Sequence, residues 1–265
     1  MPVHSSVHDA YERGVTTLTL DSPHNRNALS TRLVTELREG LARAADDART
    51  RAVVLTHTGG TFCSGADLTE PAPTGPEALV GLLRAVVELP KPVVAVVRGH
   101  VRAGGLGLVG ACDIALADET STFAFTESRI GLAPAVISLP LLPRLDPRAA
   151  SRYYLTGERF GAAEAARIGL VTAVTSAPTD ATGATGATGA TDATDKTLES
   201  ILDGLRRASP QGLAESKRLV TAEVLRAFDR DAAELAERSA RLFASAEARE
   251  GMTAFLEKRD PAWAR

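Results

Sequence analysis

Two patterns of apolar residues follow one another along the chain. Residues 15–20 alternate with period two and include β-branched side chains, which predicts a strand. Between 33 and 44 the apolar residues recur every three or four positions, which predicts an amphipathic helix capped by Ser30 or Thr31. The apolar run 52–56 then predicts a buried strand. The N-terminal part therefore favours an α/β fold.

The next segment repeats this order. Apolar residues at helical spacing over 79–87 predict a helix that ends at Pro90, and the valine-rich run 93–97 predicts a strand. A short helix at 106–111 and a strand at 113–117 follow. Strands that alternate with helices predict an α/β core with its functional loops at the carboxyl ends of the strands.

A change of composition divides the chain. Residues 178–195 are mostly Ala, Thr and Gly without a large apolar side chain, so we predict a flexible linker. Only helical patterns follow it. We therefore predict a core over 1–195 and a helical C-terminal subdomain over 196–265. The Pro/Gly-rich stretch from Glu70 to Gly81 is expected to be a loop of variable conformation.

Composition limits the possible classes of protein. With 265 residues, 44% of them hydrophobic, the chain is long enough for a large buried core. A net charge of −3 gives no reason to expect a nucleic-acid partner. Cys63 and Cys112 are expected to be reduced, and no metal site is predicted because no ligand set has suitable spacing. A polar N-terminus and short apolar runs predict a cytoplasmic protein without a membrane segment.

Two glycine-rich turns are the leading candidates for chemistry. Gly65-Ala66-Asp67 and the run Ala103 to Leu108 each follow a predicted strand. Such turns can aim two peptide N–H groups at one oxygen that becomes negative during a reaction, and one donor of this kind contributes about 3–4 kcal/mol. We interpret the pair as a candidate oxyanion site.

Nearly the whole chain is similar to the crotonase family, the enoyl-CoA hydratase/isomerase superfamily. The resemblance rests on the number and order of its motifs. They are Asn27–Ser30, Phe62–Leu68, Lys91–Pro92, Ala103–Leu108 with Ala111–Asp113, Phe125–Pro134, Tyr154–Glu158, Ala166–Val171 and Gly251–Arg259.

The resemblance implies a fold, an assembly and a substrate class. The implied fold is a spiral of repeated ββα units with a C-terminal helical trimerisation region, and the implied assembly is a homotrimer or homohexamer. The substrate would be an acyl-CoA, without a further cofactor. By position, the N–H groups of Ala66 and Gly104 match the oxyanion hole, and Glu127 matches a catalytic glutamate. Burial beside an acyl chain would raise the pKa of Glu127 toward neutrality.

Contacts with CoA are also implied by position. Arg26 lies where the family places a basic residue near the CoA phosphates, while Phe255 and Lys258 resemble residues that reach the nucleotide of a neighbouring subunit. The alternative for these three is ordinary surface charge and packing. Residues around the first glycine turn complete the expected binding site, and they are Ala28, Ser64, Asp67 and Leu68. Asp67 and Asp113 are expected to fix turns rather than to react.

Gly107 is a departure from the best-known hydratases, which carry a second glutamate at this position. Glycine cannot activate a water, so hydration by two carboxylates is in question. The run 125–138 nevertheless resembles bacterial enoyl-CoA or methylglutaconyl-CoA hydratases. We expect a hydratase, with a single-glutamate enoyl-CoA isomerase as the alternative. A non-catalytic acyl-CoA-binding protein is a third possibility, against which Glu127 argues.

Two other enzyme classes fit parts of the sequence. Residues 105–110 match the dinucleotide-binding pattern G-x-G-x-x-G, but the match is not in the opening βαβ unit and a ribose-binding acid does not follow at the expected distance. Ser64, His57 and Asp67 supply the residue types of a serine hydrolase without its G-x-S-x-G elbow. NADH binding would favour the first class and ester hydrolysis the second.

Overall fold

The computed structural model describes residues 5–70, 75–176 and 193–264, and the elements below belong to those residues. The strands are β1 (Val7–Glu12), β2 (Val15–Leu20), β3 (Ala52–His57), β4 (Thr61–Cys63), β5 (Val93–Val97), β6 (His100–Arg102), β7 (Ile114–Asp118), β8 (Thr122–Ala124), β9 (Phe160–Gly161) and β10 (Ala173–Thr175). The helices are α1 (Thr31–Asp46), α2 (Pro76–Glu88), α3 (Gly104–Ala111), α4 (Ser138–Leu141), α5 (Pro147–Thr156), α6 (Ala162–Arg167), α7 (Ala193–Arg207), α8 (Pro210–Val220), α9 (Ala222–Phe243) and α10 (Ala246–Leu256). The predicted α/β class is confirmed.

A six-stranded sheet forms the centre of the protein. Its order is β1-β2-β3-β5-β7-β10, with β1 antiparallel to β2 and the other neighbours parallel. β5 is buried along its whole length because helices cover both faces of the parallel strands. This burial explains why 93–97 is a continuous apolar run rather than an alternating one.

A second sheet, of order β4-β6-β8-β9, is built from very short strands. Along the chain β3 is followed by β4 and then α2, and β5 by β6 and then α3, so the implied ββα unit is confirmed.

The sequence predicted that the long strands β3 and β5 run directly into the glycine turns, and this prediction is wrong. Gly59 (φ +73°) and Gly99 (φ +98°) turn the chain first. Strands of three residues are too short to show a period of two.

Two of the sequence expectations concern how helices begin. Ser30 caps α1, since its Oγ accepts a hydrogen bond from the Leu33 N–H at 3.2 Å. The expected loop from Glu70 to Gly81 is wrong in its second half, because α2 begins at Pro76. Proline suits the first turn of a helix, where its missing N–H has no partner to lose. Residues 71–74 lie outside the described part of the chain.

The C-terminal helices pack on the core from two sides. Val224 and Phe228 of α9 lie in the main hydrophobic core, while Leu202 of α7 packs with Val54 and Val96 on the other face of the sheet. Of the predicted linker 178–195, residues 178–192 lie outside the described part of the chain. Residues 193–195 form the beginning of α7. The division at 195 stays a prediction. No helix within the described residues is both long and apolar enough to cross a membrane.

Candidate active site

Three loops that carry the candidate residues leave adjacent strands of the second sheet. Ala66 follows β4, Gly104 follows β6 and Glu127 follows β8. These three strands are neighbours and run parallel. Because the carboxyl ends of parallel strands meet at one edge, the sheet brings the three predicted catalytic positions to the same edge.

The two glycine turns are in direct contact. A Cβ atom placed on Gly65 would lie 2.8 Å from the Ala103 Cβ and 3.3 Å from the Gly104 nitrogen. One placed on Gly104 would lie 2.7 Å from Leu29 Cδ1 and 3.9 Å from the Ala66 nitrogen. Gly65 also has a φ of +91°. Glycine is therefore required at position 65, whereas a larger residue at position 104 would displace the end of the Leu29 side chain.

Both peptide N–H groups are available to an acceptor. The Leu29 N–H donates to the Gly65 carbonyl at 2.8 Å, in a parallel bridge that pairs Leu29 with Ala66. Gly104 is the first residue of α3, so its N–H has no acceptor one turn earlier in the helix. Within the described residues the backbone hydrogen bonds leave Ala66 N–H and Gly104 N–H without an acceptor. The helix dipole of α3 adds to the attraction for a negative oxygen.

Ala103, which precedes the second donor, has an unusual backbone. Its φ of 45° and ψ of −121° lie outside the regions that a residue with a Cβ normally adopts. Such a conformation costs on the order of 1–3 kcal/mol. A hydrogen bond from the Ala103 N–H to the Ala124 carbonyl, 3.2 Å long, holds it against the end of β8. The surrounding fold thus sets the direction of the Gly104 peptide.

Glu127 is a buried carboxyl group, only 8% exposed. Burial raises its pKa to about 7, because the charged form is poorly solvated there. Its Oε2 is buried and accepts no hydrogen bond from any described residue. The N–H groups of Gly131 and Leu132 both donate to its backbone carbonyl, which fixes the 3-10 turn Glu127–Ile130. A carboxyl with a pKa near neutrality can both accept and return a proton.

Gly107 supplies no carboxylate, and the neighbouring side chains leave no room for a larger residue at this position. A Cβ placed on Gly107 would lie 2.6 Å from Ile137 Cγ2 and 3.2 Å from Leu83 Cδ1. A glutamate there would need Ile137 to move. Ile137 therefore fills the place next to the site where the best-known hydratases carry their second glutamate. Sequence reasoning missed this residue, since its contact with Gly107 is between distant segments.

Tyr154 and Ser138 are neighbouring polar side chains that sequence reasoning did not single out. The Tyr154 ring lies 4.6 Å from the Phe125 ring, centroid to centroid, and its Oη is 3.5 Å from Ser138 Oγ. Burial raises the pKa of Tyr154, and the Glu127 carboxylate raises it further. Both residues stand inside motifs that carry the family resemblance, but neither motif marks them as functional.

The expected CoA contacts around the first turn do lie together. The Ser64 N–H donates to the Arg26 carbonyl at 3.1 Å, and Ala28 is buried next to Leu29. Leu68 is partly buried two residues beyond Ala66, and the Arg26 side chain is exposed. Their role as CoA contacts stays a prediction from the resemblance.

Asp67 fixes the end of the same turn. Its Oδ1 accepts from Thr69 N–H and Oγ1 at 3.0 and 2.6 Å, and its Oδ2 accepts from Asn25 Nδ2 at 3.0 Å. Burial raises the pKa of Asp67, but these hydrogen bonds outweigh burial and hold it below its ordinary value. Asp67 therefore stays ionised and structural.

Phe255 and Lys258 lie at the exposed C-terminal end of α10. The first turns of α10 pack instead on the Glu127 segment, where Gly131 approaches Glu247 and Gly251 approaches Ile130. The helix thus supports the Glu127 turn. The role of Phe255 and Lys258 with CoA stays a prediction.

The glycines of the G-x-G-x-x-G match have a packing role. A Cβ on Gly105 would lie 2.8 Å from Cys63 Cβ, and one on Gly110 would lie 2.5 Å from Leu141 Cδ2. Together with Gly107, these glycines let α3 approach its neighbours closely. The motif is thus explained without a dinucleotide.

The serine hydrolase constellation does not form. The Ser64 hydroxyl donates to the Asn25 carbonyl at 3.4 Å. The Arg98 N–H donates to His57 Nε2 at 3.1 Å, and His57 Nδ1 lies 3.2 Å from the Thr58 carbonyl. With both ring nitrogens engaged, His57 cannot act as the base for Ser64. Burial also lowers the pKa of His57, so the imidazole is neutral.

Several known proteins are similar to this chain in sequence and structure. The family model described as enoyl-CoA hydratase/isomerase matches residues 10–265. A 1,2-epoxyphenylacetyl-CoA isomerase from Escherichia coli is 31% identical over 268 residues, covering 94% of this chain and 95% of that protein. The mitochondrial enoyl-CoA hydratase domain-containing protein 3 of Danio rerio is 31% identical over 269 residues, covering 94% and 84% of the two chains.

A solved structure extends the similarity to three dimensions. The crystal structure of an enoyl-CoA hydratase from Mycobacterium avium has a TM-score of 0.86 and 52% sequence identity, covering 98% of this chain and 100% of that chain. Because the family model and these relatives span nearly the whole chain, the protein belongs to the enoyl-CoA hydratase/isomerase family, whose enzymes act on acyl-CoA thioesters.

Proposed function

We propose that the protein adds water to a 2-enoyl-CoA or a methylglutaconyl-CoA-like thioester, with Glu127 as its single acid/base. The observation that carries the proposal is the placement of a buried carboxyl with a pKa of about 7 at the same sheet edge as two available N–H groups. One oxyanion site and one proton carrier are the groups that addition to an enoyl thioester requires.

In the proposed reaction the thioester oxygen accepts hydrogen bonds from Ala66 N–H and Gly104 N–H. Ionised Glu127 takes a proton from a water as the water oxygen bonds to Cβ. The electron pair of the C=C bond then shifts to form an enolate, which the two N–H groups stabilise. Protonated Glu127 returns the proton to Cα, and the sum of the steps is the addition of one water.

Hydration is expected to slow as the pH falls through about 7. Burial raises the pKa of Glu127 to about 7, and the protonated group cannot accept the proton of water. A plot of log kcat/KM between about pH 5 and about pH 9 should fall about tenfold per pH unit below that pKa and level off above it. A flat profile would exclude Glu127 as the base.

Isomerisation is the second candidate reaction, and the contact of Ile137 with Gly107 favours it. A single carboxyl can remove a proton from the α-carbon and return it at the γ-carbon, without a bound water. The named relatives include both an isomerase and a hydratase. A non-catalytic acyl-CoA-binding protein is the candidate of another class, and it needs no buried proton carrier.

Product analysis tests the function. The purified protein is incubated with 2-enoyl-, 3-enoyl- and methylglutaconyl-CoA, and the products are identified by mass spectrometry and NMR. We expect a hydroxyacyl-CoA that carries one additional water, labelled when the solvent is H2(18)O. Migration of the double bond without a change in mass would instead establish the isomerase. Binding without any product would establish the binding protein.

The assembly and setting remain proposals from the resemblance. We propose a homotrimer or homohexamer, which the exposed apolar side chains of the C-terminal helices support, among them Leu219, Val220 and Phe255. A cytoplasmic location, and a reaction without a cofactor beyond the CoA of the substrate, stay predictions.

A further inference from the structure

The turn that carries Glu127 is attached to the C-terminal end of α5. Ser128 Oγ donates to the Leu155 carbonyl at 3.4 Å, and Arg129 Nε donates to the Thr156 carbonyl at 3.0 Å. The two donors directly follow Glu127 in the chain, and the two acceptors directly follow Tyr154. The chain segments that carry Glu127 and Tyr154 are thus tied together by side-chain hydrogen bonds to backbone carbonyls.

The hydroxyl groups of Ser138 and Tyr154 are only loosely engaged with each other. Ser138 Oγ donates its single proton to the Pro134 carbonyl at 2.6 Å, so its oxygen can act only as an acceptor elsewhere. Tyr154 Oη lies 3.5 Å from Ser138 Oγ, which is long for an O–H···O bond. The pair therefore retains hydrogen-bonding capacity for a third partner.

Glu127 and Tyr154 are within electrostatic reach of each other. After burial, the Glu127 carboxylate is a further cause that raises the pKa of Tyr154, so the phenol stays protonated across the working range. Glu127 Oε2 is itself buried and has no hydrogen-bond partner among the described residues. A water between these groups would satisfy polar atoms that are costly to leave unpaired.

The segment that closes position 107 also supplies one of these hydroxyls. Ile137 fills the space beside Gly107, and the next residue, Ser138, carries the hydroxyl that lies near Tyr154. The segment that leaves no room for a second carboxylate at position 107 therefore also places a hydroxyl beside Tyr154.

We propose that Tyr154, supported by Ser138, positions the water whose proton Glu127 accepts. The proposal rests on the proposed hydration. Tyr154 and Ser138 would orient the water oxygen toward Cβ, which a second glutamate does in two-carboxylate hydratases. Tyr154 is a positioning residue, since Glu127 alone carries the proton.

Tyr154→Phe is the test, because it removes the hydroxyl and leaves the ring that packs on Phe125. Two rates are measured in the full-length protein: hydration of a 2-enoyl-CoA, and exchange of the α-protons of a saturated acyl-CoA in D2O, followed by NMR. Exchange requires Glu127 and the oxyanion donors, but it does not require water to add to the substrate. We expect kcat for hydration to fall about 10- to 100-fold, with KM and the exchange rate nearly unchanged.

Tyr153→Phe is the matched control. The Tyr153 hydroxyl donates to Glu164 Oε1 at 2.8 Å. The control therefore also removes a tyrosine hydroxyl, but one that is hydrogen-bonded to Glu164 instead of lying beside Ser138. Both rates should stay at the wild-type level in this variant. Glu127→Gln should abolish both.

Three outcomes would overturn the proposal, and they are distinguishable. If wild-type protein hydrates and Tyr154→Phe hydrates equally fast, Tyr154 does not position the water while the proposed function stands. If hydration and exchange fall together, Tyr154 acts on Glu127 or on folding. If wild-type protein exchanges α-protons but adds no water, the proposed function itself fails.

Discussion

Replacing Glu127 by glutamine is expected to reduce kcat by about 10⁴-fold or more, because one general acid–base group contributes about 10²–10⁴ and Glu127 carries out both proton transfers of the proposed reaction. The amide has nearly the same size and cannot take a proton from water. The affinity for CoA should stay nearly unchanged, since the ligand is held by other residues. Steady-state kinetics and calorimetric titration with CoA measure the two effects.

Glu223→Gln is a suitable control for this variant. Glu223 is an exposed carboxylate on α9 that pairs with Arg226 on the same helix, so the same substitution is made at a residue outside the candidate site. Its activity should equal that of the wild type. Equal activity of Glu127→Gln and the wild type would remove Glu127 from the mechanism.

Stability provides a second measure for Glu127→Gln. The pKa of Glu127 is raised from its ordinary value of 4.5 to about 7 in the folded protein, so the unfolded state gives up this proton first and the free energy of unfolding falls as the pH rises from about 4.5 to about 7. The glutamine variant lacks this decrease. Its free energy of unfolding should therefore exceed that of the wild type above pH 7, and a loss of activity there cannot be attributed to unfolding.

Replacing Lys217 by methionine is expected to lower the free energy of unfolding by about 3–5 kcal/mol. Lys217 Nζ lies 2.7 Å from Asp113 Oδ2, and the two side chains are only 4% and 10% exposed. Nζ also donates to the carbonyls of Val86 and Lys91 at 2.9 and 3.1 Å. Methionine fills the space but leaves the Asp113 carboxylate buried without its cation. Urea denaturation measures the loss.

The ionised forms of Lys217 and Asp113 stabilise each other. Burial raises the pKa of Asp113 and lowers that of Lys217, so either charge alone is unfavourable in this place. The double variant Lys217→Met with Asp113→Leu should regain part of the stability, because no unpaired charge remains. Equal losses in the single and double variants would contradict this account.

An exposed ion pair is the control for the buried one. Arg241 and Glu237 pair on the surface of α9 with more than half of each side chain exposed. Arg241→Met should change the free energy of unfolding by less than about 1 kcal/mol. The contrast isolates the effect of burial from that of removing a cation.

The longer strands and helices were predictable from the local sequence. The strand at 15–20, the helix from 31 and its cap by Ser30 follow from periodicity and side-chain capping over a few positions. The second sheet was not predictable, because β4, β6 and β8 have three residues each. Strands of that length form by pairing with one another, which no local pattern records.

Contacts between distant segments explain the other differences. Asp113 is structural, as expected, but it holds Lys217 of α8 in addition to accepting from the Val93 N–H, rather than only fixing a turn. Ile137 meets Gly107 only in the folded chain. The hydroxyl of Tyr154 becomes notable only because α5 ends beside the Glu127 turn.

By itself, the sequence determined the α/β class and the two glycine turns, because backbone preferences act over short stretches, and the order of motifs along the chain implied Glu127 through the family resemblance. Only the tertiary structure decided that three short parallel strands bring Ala66, Gly104 and Glu127 to one edge, and that burial raises the pKa of Glu127 to about 7. It also closed position 107 with Ile137. Solvation and steric exclusion depend on all the groups around an atom, and those groups come from remote parts of the chain.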